Sequence, residues 1–138
     1  ACAPAAMTRE LRKVHQFMVF AVNTPAQHGI AAYLADPSPW RELSAFYQAK
    51  RDAFRAGLAS TRFELLPCEG TYFQCVRYDA ISDLPEAEFA QWLTREVGVA
   101  AIPVSAFLRR PSTPRVVRFC FAKREATLAA ALERLARL

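Results

Sequence analysis

The sequence predicts a two-layer α/β domain preceded by a run of helices. In the first part of the chain apolar residues recur at helical spacing and are interrupted by prolines. In the second part period-two apolar runs alternate with helical stretches, in the order strand, strand, helix, strand, strand, helix. With 138 residues, 53% of them hydrophobic and 22% charged, the chain can bury a core of its own. Helices that follow strands on one side of a small sheet make the two layers.

Thr8 is placed to cap a helix over about 9–19, with Leu11, Val14, His15 and Met18 on one stripe. Asn23 or Thr24 then precedes Pro25, the favoured order at a helix start, and "AQHGIAAYLA" continues to about residue 35 across a soft point at Gly29. Pro37 and Pro39 in "DPSPW" interrupt any helix entering from the left and set the boundary between two expected domains, 1–36 and 37–138. From Trp40 the residues Leu43, Phe46, Tyr47, Lys50, Phe54 and Leu58 give a helix of about five turns, long enough to join two structural units.

"RFELLP" reads as the first strand and "GTYFQCVRY" as the second. Along the latter, Thr71, Phe73, Cys75 and Arg77 share one face, and Tyr72, Gln74, Val76 and Tyr78 the other. "LPEAEFAQWLTREVG" is a helix with Pro85 near its start and Gly98 past its end. "VAAIP" and "RVVRFCFA" are short strands, and "KREATLAAALERLARL" is a terminal amphipathic helix.

Composition removes several function classes. The net charge of +5 arises from 18 Lys plus Arg against 13 Asp plus Glu, and lysine occurs only at 13, 50 and 123, so the positive charge is mostly arginine. These arginines are scattered among acids, without the basic block or finger spacing expected of a nucleic-acid binder. Cys2, Cys68, Cys75 and Cys120 form no CxxC pair, and His15 and His28 are too far apart for a helical metal pair, so neither zinc nor a disulfide scaffold is indicated. Cys75 and Cys120 read as reduced core residues, which fits a cytoplasmic location. No apolar run of about 18 residues and no signal-peptide pattern is present. "ACAPAAMTRELRKVHQF" opens as though a preceding strand had been removed, the pattern expected of a piece of a longer protein.

Arg118 is the sharpest chemical signal. In "VVRFCFAK" Val116, Arg118 and Cys120 fall on one face and Val117, Phe119 and Phe121 on the other. A guanidinium in so apolar a strand needs a carboxylate partner or solvent for its head. The competing reading is an arginine on the exposed face of an edge strand. Gly70 in "EGTYF" permits close backbone approach to a ligand and equally suits a hairpin turn. Ser105 and Phe107 in "AIPVSAF" occupy a loop suited to line a pocket, but no His and Asp accompany the serine as in a triad. No phosphate-binding glycine pattern exists.

Taken together, "RKVHQFMVFAVNTPAQHGIAAYL", "YQAKRD", "PCEGTYF", "WLTREVGVAAIPVSAF" and "VRFCFAKREATL" resemble the C-terminal part of a fold-type I pyridoxal-phosphate aminotransferase. The group it resembles most is that of the methionine and kynurenine (glutamine) aminotransferases, whose relatives include cysteine-conjugate β-lyases. The resemblance implies that 1–36 is the end of the large cofactor-binding domain with a dimer-interface segment, and that 37–138 is the small domain with its connecting helix. It assigns Arg118 to the substrate α-carboxylate. It places Val22, Asn23 and Thr24 near a partner's active site, and Tyr72, Phe73 and Ser105 on the small-domain side of the substrate region.

The cofactor-carrying lysine of the family matches none of Lys13, Lys50 and Lys123, and no cofactor-binding residue is assigned. The implied activity of the longer, homodimeric protein is transfer of an amino group from an L-amino acid to a 2-oxo acid, with methionine, glutamine or an aromatic residue as candidate donors. The chain by itself is expected to be inactive and to bind no pyridoxal phosphate specifically. The alternatives are a β-lyase fragment and a noncatalytic α/β binding domain.

Overall fold

The computed structural model describes residues 2–109 and 115–138, and the chain divides into two compact units between Arg41 and Glu42.

The first unit is helical: α1 (Ala5–Met18), α2 (Thr24–Leu34) and the single turn α3 (Ser38–Arg41). The first helix begins earlier than the expected residue 9. Pro4 stands at its cap, its carbonyl accepts from the Thr8 N–H at 2.9 Å, and Thr8 lies inside the first turn with its hydroxyl donating to the Ala3 carbonyl. A proline there sacrifices nothing, because helix-initial amides have no intrahelical partner. The second helix starts as expected: the Asn23 side chain accepts from the Ala26 N–H at 2.9 Å, and Pro25 follows. Between the two helices Phe20 takes φ +64°, a costly left-handed conformation for a bulky residue. No residue of α1, α2 or α3 is buried. Phe17 is 87% and Phe20 84% exposed.

The expected long helix from Trp40 is divided. Asp36 accepts from both the N–H and the hydroxyl of Ser38, starting the one-turn α3 that contains Trp40. The helix breaks at Glu42, a turn residue whose carbonyl then accepts from the Phe46 N–H in α4 (Leu43–Leu58).

The second unit continues with β1 (Glu64–Leu65), β2 (Phe73–Arg77), α5 (Glu86–Trp92), β3 (Ile102–Pro103), β4 (Val116–Cys120) and α6 (Glu125–Leu135). A π-helical turn, Leu93–Val97, extends α5, and a 3-10 turn, Val104–Phe107, follows β3. Gly98 ends the π turn at φ +71°, as expected of a glycine past a helix end. The strands form one antiparallel sheet in the order β1-β2-β4-β3.

Only one face of that sheet carries the core. Val76 and Tyr78 on β2 and just beyond it, with Val117, Phe119 and Phe121 on β4 and just beyond it, join Phe54 and Leu58 of α4, Phe89 of α5 and Leu128 and Leu135 of α6 in a single buried cluster. The expected two-layer α/β arrangement is therefore present. At roughly 1.5–3 kcal/mol per fully buried large side chain, this cluster is the main stabilising element of the unit. Gln74 also faces the core, fully buried, with its side-chain amide nitrogen donating to the Leu66 and Cys75 carbonyls and its oxygen accepting from Arg55. Cys75 and Cys120 are not core residues. Strand alternation puts them half-buried on the opposite, open face, and both are free thiols. Among the described residues no helix is long and apolar enough to cross a membrane.

Candidate functional site

The open face of the sheet presents Arg118. Its strand β4 is hydrogen-bonded on both sides, with Arg118 opposite Cys75 in β2 and opposite Ile102 in β3. The edge-strand reading therefore fails. Val117 and Phe119 on either side of it are 0% and 3% exposed against the helices, which fixes the strand's rotation and leaves Arg118 half-buried on the far face.

Two aromatic rings hold the guanidinium. Its central carbon lies 3.9 Å from the ring centroid of Phe73 and 4.7 Å from that of Phe107. Its Nε is buried without a hydrogen-bond partner, and among the described residues it forms no ion pair. Two cation–π contacts contribute about 1–4 kcal/mol together. Full withdrawal of an unpaired guanidinium costs several kcal/mol. The rings thus orient the group without neutralising it, and its unmet hydrogen-bonding capacity suits a planar anion such as a carboxylate. Cys75, opposite it on β2, is a thiol rather than a nucleophile, since burial pushes its pKa up by more than the nearby Arg118 charge pulls it down. Beside Arg118 opens a cleft of about 700 Å³, walled by Ile102, Cys120, Ala130 and Arg134 among others.

Of the residues singled out in the sequence, Tyr72 is 44% exposed, and its ring centroid lies 4.5 Å from that of Phe73, the ring that contacts Arg118. Ser105 lies in the 3-10 turn, where its N–H rather than its hydroxyl is engaged, donating to Glu86 at 2.6 Å, while Phe107 at the end of the same turn supplies the contact to Arg118. Asn23 belongs to the first unit. Its side-chain oxygen is committed to capping α2, which leaves its side-chain NH₂ as the group it can offer elsewhere. Gly70 has open space where a Cβ would stand and no positive φ. The left-handed turn residue is instead Thr71.

Sequence reasoning did not give Glu86 a role. It is 5% exposed, and it accepts from the Ser105 N–H with one oxygen and from the Val116 N–H, at 2.8 Å, with the other. An acid in the first turn of a helix looks like a solvated dipole partner, so its only signal was the nearby apolar pattern.

Residues 1–135 match the family described as aminotransferase class I and II. The methionine aminotransferase of Escherichia coli is 53% identical over 137 residues, which is 99% of this chain and 36% of that protein. Kynurenine–oxoglutarate transaminase 1 of Rattus norvegicus is 32% identical, over 96% of this chain and 36% of its own length. Among solved structures, that of YbdL from Escherichia coli, for which a methionine aminotransferase function was identified, has a TM-score of 0.93 at 52% identity and covers 99% of this chain and 36% of that one. The N-succinyldiaminopimelate aminotransferase of Mycobacterium tuberculosis gives 0.88 at 34% identity, over 99% of this chain and 36% of that one. The chain spans about 36% of the length of the relatives it matches.

Proposed function

Since this chain belongs to the aminotransferase class I and II family, we propose that it is part of a longer fold-type I, pyridoxal-phosphate-dependent aminotransferase in which Arg118 binds the α-carboxylate of the amino-acid substrate. The observation that carries the reading is the half-buried guanidinium of Arg118, set between Phe73 and Phe107 with an unpartnered Nε. A substrate carboxylate meets it as a planar acceptor against a planar donor fork, which provides charge pairing and orientation at once.

In this reading residues 37–138 are the small domain and 1–36 the end of the large domain with a segment facing a second copy. The uncovered Phe17, Met18, Phe20 and Val22 fit such a buried role, as apolar surface of this density marks an interface. Asn23 serves the partner's pocket through its side-chain NH₂, while Tyr72 and Ser105 line the small-domain side. The enzyme is a cytoplasmic homodimer that moves an amino group from an L-amino acid to a 2-oxo acid. A sulfur-containing or aromatic donor is favoured, in keeping with the methionine and kynurenine relatives.

Pyridoxal phosphate supplies the electron sink when bound to the longer protein. The residues here do not fit the cofactor itself. Lys13 pairs with Glu10, Lys50 donates to the Lys123 carbonyl and Lys123 is exposed, and Arg118, flanked by two phenylalanine rings, has no amine beside it among the described residues to receive an aldehyde. The contribution of this chain is to bind and orient the substrate acid.

The test is Arg118→Ala in the full-length protein. L-Methionine should lose at least about 100-fold in kcat/KM, the order expected when a charged, bidentate contact disappears. Pyridoxal-phosphate affinity should change little. Equal turnover by the two proteins would reject the assignment.

A further inference from the structure

We infer that Glu86 is a positioning residue for substrate carboxylate recognition, because its buried carboxylate ties together the two chain segments that carry the Arg118 guanidinium and the Phe107 ring. This rests on the reading of Arg118 given above.

The β3–β4 ladder ends at the Pro103–Val117 pair, where the chain after β3 turns into the 3-10 turn Val104–Phe107. Beyond that point the Val116 amide has no strand partner on this side among the described residues, and the Ser105 amide lies in a turn too short to satisfy it. Glu86 replaces the missing ladder: Oε1 accepts from Val116 and Oε2 from Ser105, at 2.8 and 2.6 Å. Each of those amides lies two residues before a member of the site, Val116 before Arg118 and Ser105 before Phe107. One carboxylate therefore sets the spacing between the strand bearing the guanidinium and the turn bearing the ring that flanks it at 4.7 Å.

Glu86 is itself well fixed. It stands at the start of α5, 5% exposed, beside the fully buried Tyr78 and one turn from the fully buried Phe89. Neither Gln nor a hydrophobic residue can do the same task, since two N–H donors require two acceptor oxygens and glutamine offers one beside a competing NH₂.

The test uses the full-length holoenzyme with two probes, L-methionine and 3-(methylthio)propylamine, the same molecule without its carboxylate. Glu86→Gln should lower kcat/KM for methionine by roughly tenfold, as expected when a contact moves by a fraction of an ångström, and leave that for the amine within about twofold. Glu86→Asp, which keeps both acceptor oxygens, should recover part of the preference and serves as the second variant should the glutamine protein fold poorly. Faster hydrogen exchange at the Ser105 and Val116 amides should accompany the loss. Equal decline on both probes would make Glu86 merely structural and overturn the inference, as would an unchanged preference in both variants. Failure of the underlying reading looks different: Arg118→Ala would then keep the preference for methionine over the amine.

Discussion

Replacing Phe73 by leucine isolates what an aromatic face contributes to the Arg118 site. The ring centroid lies 3.9 Å from the guanidinium carbon, the shorter of the two contacts, and Phe73 is half-buried on the sheet face away from the core. Leucine keeps most of the apolar volume and removes the quadrupole. A desolvating cation–π contact is worth about 1–2 kcal/mol, and each 1.4 kcal/mol is about tenfold in affinity. Orientation of Arg118 that was prepaid by the ring must then be supplied on binding, so KM for L-methionine in the full-length enzyme should rise by about five- to thirtyfold. The Phe73→Tyr protein keeps the face and should stay within about twofold. Because Phe73 lies outside the buried cluster, the melting temperature should hardly move. Steady-state kinetics of the three proteins, with methionine and with the corresponding amine, decide the matter. A leucine variant indistinguishable from the parent on methionine would refute the claim that the ring prepares the guanidinium.

Two further outcomes concern stability. Burial pushes the Tyr78 hydroxyl up to about 12, with Glu86 adding to the effect. The unfolded chain therefore releases that proton near pH 10 while the folded one holds it. The stabilisation is intact below pH 10 and lost as the pH climbs to 12, about 2–3 kcal/mol in all. Urea unfolding from pH 9 to 11.5 should show a shallower decline for Tyr78→Phe, at the cost of the hydrogen bond to the Leu84 carbonyl; parallel declines would contradict it. Gly98→Ala imposes a side chain at φ +71° and forces it against the Arg134 guanidinium. It should lower unfolding free energy by about 1–2 kcal/mol, whereas an unchanged value would mean that the helix end relaxes.

Much of the architecture was legible because alternation and helix punctuation are local. Period two placed Val117, Phe119 and Phe121 together and Arg118 opposite, and the buried cluster has that phase. Pro25 and Gly98 marked a start and a stop correctly. What escaped depended on pairing in space. Cys75 and Cys120 are apolar enough to pass for core, and although alternation sets their face, the packing of the helices on the other side is what leaves that face open. The rings around Arg118 follow from the antiparallel register of β2 with β4 and from the 3-10 turn after β3, neither of which a single strand announces. Glu86 escaped for the same reason, since its two amide partners lie 19 and 30 residues away.

Phasing of β4 has an evolutionary corollary. Val117, Phe119 and Phe121 pack against the helices while Arg118 and Cys120 lie on the open face, so under the proposed role of Arg118 selection can retool recognition by point changes at 118 or 120 while the helices keep their grip on 117, 119 and 121. An inserted or deleted residue would exchange the two duties along the whole strand, sending a cation among phenylalanines. Diversity among proteins built on this sheet should therefore accumulate as substitutions in β4, with changes of length confined to the loops at its ends.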